Sequence, residues 1–296
     1  MDLIIDILLD TIKDGLNVLP FLFVTYYLME LIEHQTEGKT TAFLQRVGRF
    51  GPVLGGLFGV IPQCGFSAAA STLYAGRVIT LGTLLAIFLS TSDEMVPLLI
   101  SAQFPVKTML LILGIKAGIG ILAGILVDVI LHLIHRLRGK QESPELCVDT
   151  LCDREGCHCD GKHVLRSALV HTIHIFSFIL LFMLILNAAI AVIGEPRLAA
   201  FMSVGGTGFF ASLARHLLSG LIGLIPNCAA SVVITELYME GFISMGTMMS
   251  GLLVGAGVGL LVLFRTNTDR RENLRITGLL YAIGVCAGLI VDLFIP

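Results

Sequence analysis

The chain has 296 residues, 55% of them hydrophobic and 14% charged, with a mean hydropathy of +0.91 and a formal net charge of −3. Soluble domains carry about 25% charged residues, so this composition excludes an ordinary soluble domain and places the chain in a lipid bilayer. The strands of a membrane β-barrel would alternate apolar and polar residues over ~10 positions. The long apolar runs here do not alternate, which leaves an all-α polytopic membrane protein.

The chain opens with MDLIIDILLDTIKDG, which is acidic and lacks the basic start and small-residue cleavage site of a signal peptide. Its apolar residues recur at helical spacing, as in a short interfacial helix. Next comes GVIPQCGFSAAASTLY (59–74), apolar but interrupted by Pro62, Gln63, Cys64 and Ser67. Proline removes a backbone donor and breaks a helix. A break at membrane depth survives only where protein or a water-filled cavity covers it. The run Val78–Ser101 is long enough to cross a bilayer, which takes ~20 apolar residues. It contains LSTSDEMVP (89–97), expected to continue the same helix. Asp93 and Glu94 then lie a little past its middle, where a carboxylate costs ~3 kcal/mol or more and marks a functional site by default. With the hydroxyls of Ser90, Thr91 and Ser92, these oxygens suit a hard or borderline divalent cation. The structural alternative is a packing carboxylate paired with Lys116 or Arg215. Adjacent residues point to different faces of a helix, so one of the two is expected to bind, with Asp93 favoured. The run Lys107–His132 is a further crossing, and Asp128 near its end reads as a structural cap or packing contact, with an ion relay as the alternative.

A polar linker follows, and within it CVDTLCDREGCHCDGKH gathers Cys147, Cys152, Cys157, His158, Cys159 and His163. The spacing is not that of common structural zinc sites, but the ligand types are right for a second, linker-bound metal. On a cytoplasmic face these thiols stay reduced and available; the alternative is a flexible loop with incidental thiols. His171 and His174 share a helix face at i, i+3 and read as polar packing before metal binding. Val170–Ile193 crosses again. GLIPNCAASVVITELY (223–238) then repeats the break with Pro226, Asn227, Cys228 and Ser231, and Phe242–Phe264 is another crossing. Cys64 and Cys228 are soft ligands or gating thiols at the breaks, or small buried hydrophobes. Gln63 and Asn227 add amide oxygens. No nucleophile elbow, phosphate loop or nucleotide-binding stretch occurs, so no enzyme, no required cofactor and no nucleic-acid partner is expected.

The two breaks belong to a repeat. At an offset of 164, eleven of thirty-one positions are identical between Gly59–Leu89 and Gly223–Leu253, and AGILVD (123–128) pairs with AGLIVD (287–292). The chain therefore divides into a first membrane repeat (1–135), a cytoplasmic Cys/His-rich linker (136–165) and a second repeat (166–296). Asp93 and Glu94 match VGAGVG (254–259), which has no carboxylate, so the site is expected to be asymmetric. Cytoplasmic loops carry an excess of Lys and Arg. If each Pro-Cys segment dips in and returns, fourteen cations share the linker's side and four lie opposite; with four plain crossings per half there is no bias. The expected fold is thus two inverted-topology repeats, each of three transmembrane helices plus a broken re-entrant hairpin, about ten membrane segments in all. Both termini are then on the outer side of the cytoplasmic membrane. Breaks at matching positions of inverted halves point to a binding site at the midplane, with the tips Ile61–Ser67 and Ile225–Ser231 facing each other.

The block IPQCGFSAAASTLYA with LSTSDEM, its echo IPNCAAS with TELY, and the Cys/His-rich loop resemble a bacterial family of heavy-metal exporters, often labelled manganese transporters and grouped with arsenic-efflux-like permeases. The resemblance implies about ten membrane segments, export of a metal or metalloid, and Pro62, Gln63, Cys64, Asp93 and Glu94 on the pathway. The favoured function is a secondary transporter exporting a divalent metal, Mn²⁺ first, by alternating access, with a proton as the exchanged coupling ion. The alternatives are an exporter of organoarsenicals or another anionic or thiol-reactive solute, favoured by helix N-termini at the tips, and a membrane metal sensor or enzyme. A homodimer is kept open as the oligomeric state.

Overall fold

The computed structural model describes residues 40–61, 64–92, 95–138, 164–193 and 209–294, with scattered helical positions between 9 and 27. Every regular element among them is helical: α1 (Thr40–Gly59), α2 (Cys64–Ala75), α3 (Leu81–Ser90), α4 (Met95–Ser101), α5 (Val106–Arg138), α6 (Val164–Ile193), α7 (Phe209–Gly223), α8 (Cys228–Met239), α9 (Met245–Val254), α10 (Val258–Thr266) and α11 (Arg270–Phe294). The offset of 164 carries α1–α5 onto α7–α11 in order. Among the described residues, four stretches are long and apolar enough to cross a membrane: Leu81–Ser101, Val106–Ile134, Met245–Thr266 and Arg270–Phe294. The chain is a multi-pass membrane protein.

Helices stop at both Pro-Cys segments, as the sequence predicts. α1 ends at Gly59 and α2 begins at Cys64; α7 ends at Gly223 and α8 begins at Cys228. Pro226 has no N–H to continue the ladder, and the carbonyl of Ile222 accepts instead from the Ile225 N–H at 3.0 Å.

The expected single helix over 78–101 is interrupted as well. α3 ends at Ser90, Thr91 takes φ −55° and ψ 130°, and α4 begins only at Met95. The physical reason lies in the hydroxyls. Ser90 donates to the Ala86 carbonyl at 2.7 Å and Thr91 to Ile87 at 2.7 Å, back-bonding that bends and weakens a helix, and Ser92 donates at 3.1 Å to the Ser90 carbonyl that a continuing helix would use. The equivalent interruption in the second half is Gly255–Gly257, where Gly257 adopts φ 52° and ψ −137°, a backbone conformation that L side chains rarely enter.

Within each half, the short helix packs against a long one along a stripe of i, i+4 residues. On α5 the stripe is Lys116, Gly120, Gly124, Asp128; on α11 it is Leu280, Gly284, Gly288, Asp292. The glycines let backbones touch. A Cβ on Gly120 would lie 2.8 Å from the Ala86 carbonyl oxygen, and one on Gly288 would lie 2.5 Å from that of Gly246. Small residues at a fixed four-residue spacing are how helices approach closely in lipid, where no hydrophobic force drives them together. Asp128 accepts from Thr80 Oγ1 at 2.6 Å and from the Gly82 N–H at 2.8 Å at the N-terminus of α3. Asp292 accepts from Ser244 Oγ and the Gly246 N–H, each at 2.7 Å, at the N-terminus of α9. These aspartates are the repeated caps that the sequence indicates, and each places negative charge on the positive end of a helix dipole.

The halves interlock. α2 of the first packs on α10 of the second, where Ser71 donates to the Gly259 carbonyl at 2.6 Å. α8 packs on α4. The turn before α3 joins the start of α11: Arg77 grips Glu272 through both nitrogens at 3.0 and 3.1 Å, and the Tyr74 hydroxyl donates to the same carboxylate. At the other end Tyr238, just before α9, meets Phe104, just after α4, with ring centroids 6.0 Å apart. The start of each broken span thus lies beside the end of the other. The α9–α10 stretch is 83% buried and the α5 stretch 28%, so the broken spans form the centre and α5 presents a face to lipid.

Close glycine contact makes a sharp prediction. Gly124→Ala places a Cβ 2.5 Å from the Gly82 carbonyl oxygen, whereas Gly118, on the same helix, has open space around it. Gly124→Ala should destabilise the protein by about 1–3 kcal/mol, read as a lowered thermal midpoint in detergent. Gly118→Ala should leave the midpoint unchanged or raise it slightly.

Candidate functional site

A cavity of about 30 Å³ lies where the two broken spans meet. That volume holds one or two waters or a bare ion. The first half supplies Thr91, Ser92, Met95 and Lys116 to its wall; the second supplies the tip residues Ile225, Asn227, Ala230 and Ser231 together with Gly251, Leu252, Gly255 and Gly257.

Lys116 is the wall's most consequential residue. It is 1% exposed, and its ammonium donates to the Thr91 carbonyl at 2.5 Å and to the Leu252 carbonyl at 2.9 Å. Thr91 is the C-terminal cap of α3, and Leu252 lies in the last turn of α9. The last carbonyls of a helix have no partner within it and form the negative end of its dipole, where a cation contributes about 1 kcal/mol and up to ~2 when partly buried. One ammonium therefore serves the C-termini of two helices from different halves. Along its own stripe, α5 reads α3 from end to end: Lys116 at the C-terminus, glycines at the crossing, Asp128 at the N-terminus.

The expected site residues divide as follows. Thr91, Ser92, Asn227 and Ser231 line the cavity. Thr91 and Ser92 give their hydroxyl hydrogens to carbonyls, which leaves oxygen lone pairs to meet a ligand. Ser90 is buried outside the wall, against Gly59 and Gly120. Ser67 is buried in the contact between α2 and Gly259. Pro226 lies in the non-helical turn at the second tip. Cys64 and Cys228 open α2 and α8. Their side chains lie outside the described residues, as do Pro62, Gln63, Asp93, Glu94 and the linker's Cys147, Cys152, Cys157, His158, Cys159 and His163. Among the described residues no three His, Cys, Asp or Glu side chains gather to hold a metal.

The site is asymmetric in a way that the repeat alone does not announce. At the position corresponding to Lys116 the second half has Leu280, fully buried. At the position corresponding to Met95 the second half has Gly259, which packs closely on Ser67 and Phe88. A second polar pair also differs: His216 Nε2 lies 3.2 Å from Asp292 Oδ2, while the corresponding position in the first half is Pro52.

No curated protein and no solved structure matches the chain. A family model does, over residues 3–214, a stretch that includes nearly all of the first repeat, the linker and all of α6 and ends within α7. The chain belongs to the family described as "Putative, 10TM heavy-metal exporter".

The geometry predicts which polar groups of the second tip matter. Asn227→Leu, which removes a buried amide from the cavity wall, should lower transport of the family's metal substrate at least tenfold in proteoliposomes. Thr235→Val, buried behind the tip with its hydroxyl given to the Ser231 carbonyl at 2.7 Å, should change the rate far less.

Proposed function

We propose that the chain is a secondary transporter that exports a divalent metal ion, Mn²⁺ first, by alternating access, with the ion held in the cavity between the broken spans. The observation that carries this reading is the convergence of two interrupted helices, one from each half, on a small polar cavity lined by Thr91, Ser92 and Asn227. Interrupted helices at matching positions of two repeats place exposed backbone at membrane depth only to line a site. Asp93 follows Ser92 directly in the chain and supplies the carboxylate for a hard or borderline cation.

Opposed repeats are supported by the contacts at both ends of the broken spans. Arg77–Glu272 joins the start of one span to the end of the other, and Tyr238–Phe104 does the same at the far end. Spans that pass each other in opposite directions give this pattern, as inverted repeats do. Charge supports the orientation: Arg77 and the Arg270–Arg275 group share the side that the positive-inside rule assigns to the cytoplasm. The Pro-Cys segments then act as re-entrant hairpins, the linker is cytoplasmic, and a proton is the exchanged ion.

A second reading has one observation in its favour. The buried ammonium of Lys116 in the wall would attract an anionic or metalloid solute. Flux measurements in proteoliposomes separate the two. Mn²⁺, Zn²⁺, Cd²⁺ and a methylated arsenite are offered to wild type, Asp93→Asn and Cys64→Ser. The cation reading predicts Mn²⁺ flux that falls more than tenfold in Asp93→Asn and persists in Cys64→Ser. Arsenical flux that needs Cys64 and ignores Asp93 would establish the second reading instead.

A further inference from the structure

The cavity wall contains an ammonium where the chemistry of the surrounding backbone calls for a small cation. The Thr91 and Leu252 carbonyls belong to the C-terminal ends of α3 and α9, one from each half, and both point at Lys116 Nζ. Half-helix C-termini and unwound carbonyls are the groups with which broken membrane helices coordinate small cations, and carbonyl oxygens are hard ligands. Two features show that the position is shared between the halves. The ammonium reaches across to α9, a helix from the other repeat, and the second half carries no lysine of its own, only Leu280. The ammonium is also too well enclosed to be an incidental surface group, at 1% exposure beside a cavity of about 30 Å³.

We infer that the Thr91 and Leu252 carbonyls form a built-in site for a small inorganic cation and that Lys116 is a tethered cation permanently occupying it. The lysine takes the place of a structural sodium or potassium ion and fixes the charge beside the substrate position. Taking Lys116 away, with room left behind, should turn the place into an ion-dependent one. A transported cation must settle beside this fixed charge, so Lys116 is a positioning residue that weakens the hold on the substrate and promotes its release. The second consequence rests on the cation reading above; the site itself does not.

The test uses the full chain in detergent. Thermal midpoints of wild type, Lys116→Ala and Lys116→Met are measured in sodium chloride, potassium chloride and N-methyl-D-glucamine chloride, without heavy metal. Wild type should melt at the same temperature in all three. Lys116→Ala opens space at the two carbonyls, and its midpoint should rise by about 5 °C or more in sodium or potassium over the bulky organic cation. Lys116→Met fills the space with a neutral chain and should show no such rise. An alanine variant that melts identically in all three salts, or that folds in none of them, overturns the proposal. The readout is independent of which solute is carried, so a failure here and a failure of the cation reading are told apart.

Discussion

Two helices from different halves end inside the protein, and the carbonyls at their ends have no helical partner. In water such groups are solvated; at membrane depth they must be satisfied by the chain itself. Lys116 satisfies one carbonyl from each end at once. This is the constraint on which the centre of the structure depends. It ties α5 to the interruption after Ser90, ties the first half to the second, and sets where the cavity lies. The opposite ends of α3 and α9 are settled within each half, by Asp128 and Asp292 accepting from Gly82 and Gly246. The division is consistent: anion at each N-terminus, one shared cation at the two C-termini, as the dipoles require.

The repeat explains the frame, and departures from it explain the site. Element order, capping aspartates, glycine stripes and the tyrosines Tyr74 and Tyr238 all recur at the offset of 164. Lys116 does not, being Leu280 in the second half; nor do Thr91 and Ser92, which become Gly255 and Ala256. A symmetrical molecule would have two equal cavities. The cavity is lined by hydroxyls, an amide and an ammonium, while the second half has Gly259, packed on Ser67, where the first has Met95. The two ends of the broken spans are likewise held by unlike bonds, an ion pair with a tyrosine at Arg77–Glu272 and an aromatic contact at Phe104–Tyr238. Alternating access would require these to open in turn.

Much of this was legible in the residues. The Pro-Cys breaks, the repeat, the capping aspartates and the kinship with heavy-metal exporters all follow from patterns of spacing and identity. The interruption after Ser90 was not, because an apolar run of spanning length reads as one helix and the hydroxyl-to-carbonyl bonds of Ser90, Thr91 and Ser92 are a matter of rotamer. Lys116 reads from sequence only as a partner for a packing carboxylate. Its signal was nevertheless present: lysine, glycine, glycine and aspartate at successive i+4 positions mark one face of α5, with opposite charges at the two ends. What the sequence could not supply was the reach to Leu252, since a contact between halves has no local pattern. Ser67 and Ser90 show the converse, polar residues near a break that fold into helix packing instead of the cavity wall.

The central claim, that the meeting point of the two broken spans is where the exported ion rests, is tested most directly by anomalous diffraction at the manganese edge from crystals of the full chain grown with Mn²⁺. The account predicts an anomalous peak in the cavity bounded by Thr91, Ser92 and Asn227, close to Lys116. Manganese found only in the Cys147–His163 linker, or a cavity that stays empty at concentrations that saturate transport, would contradict it.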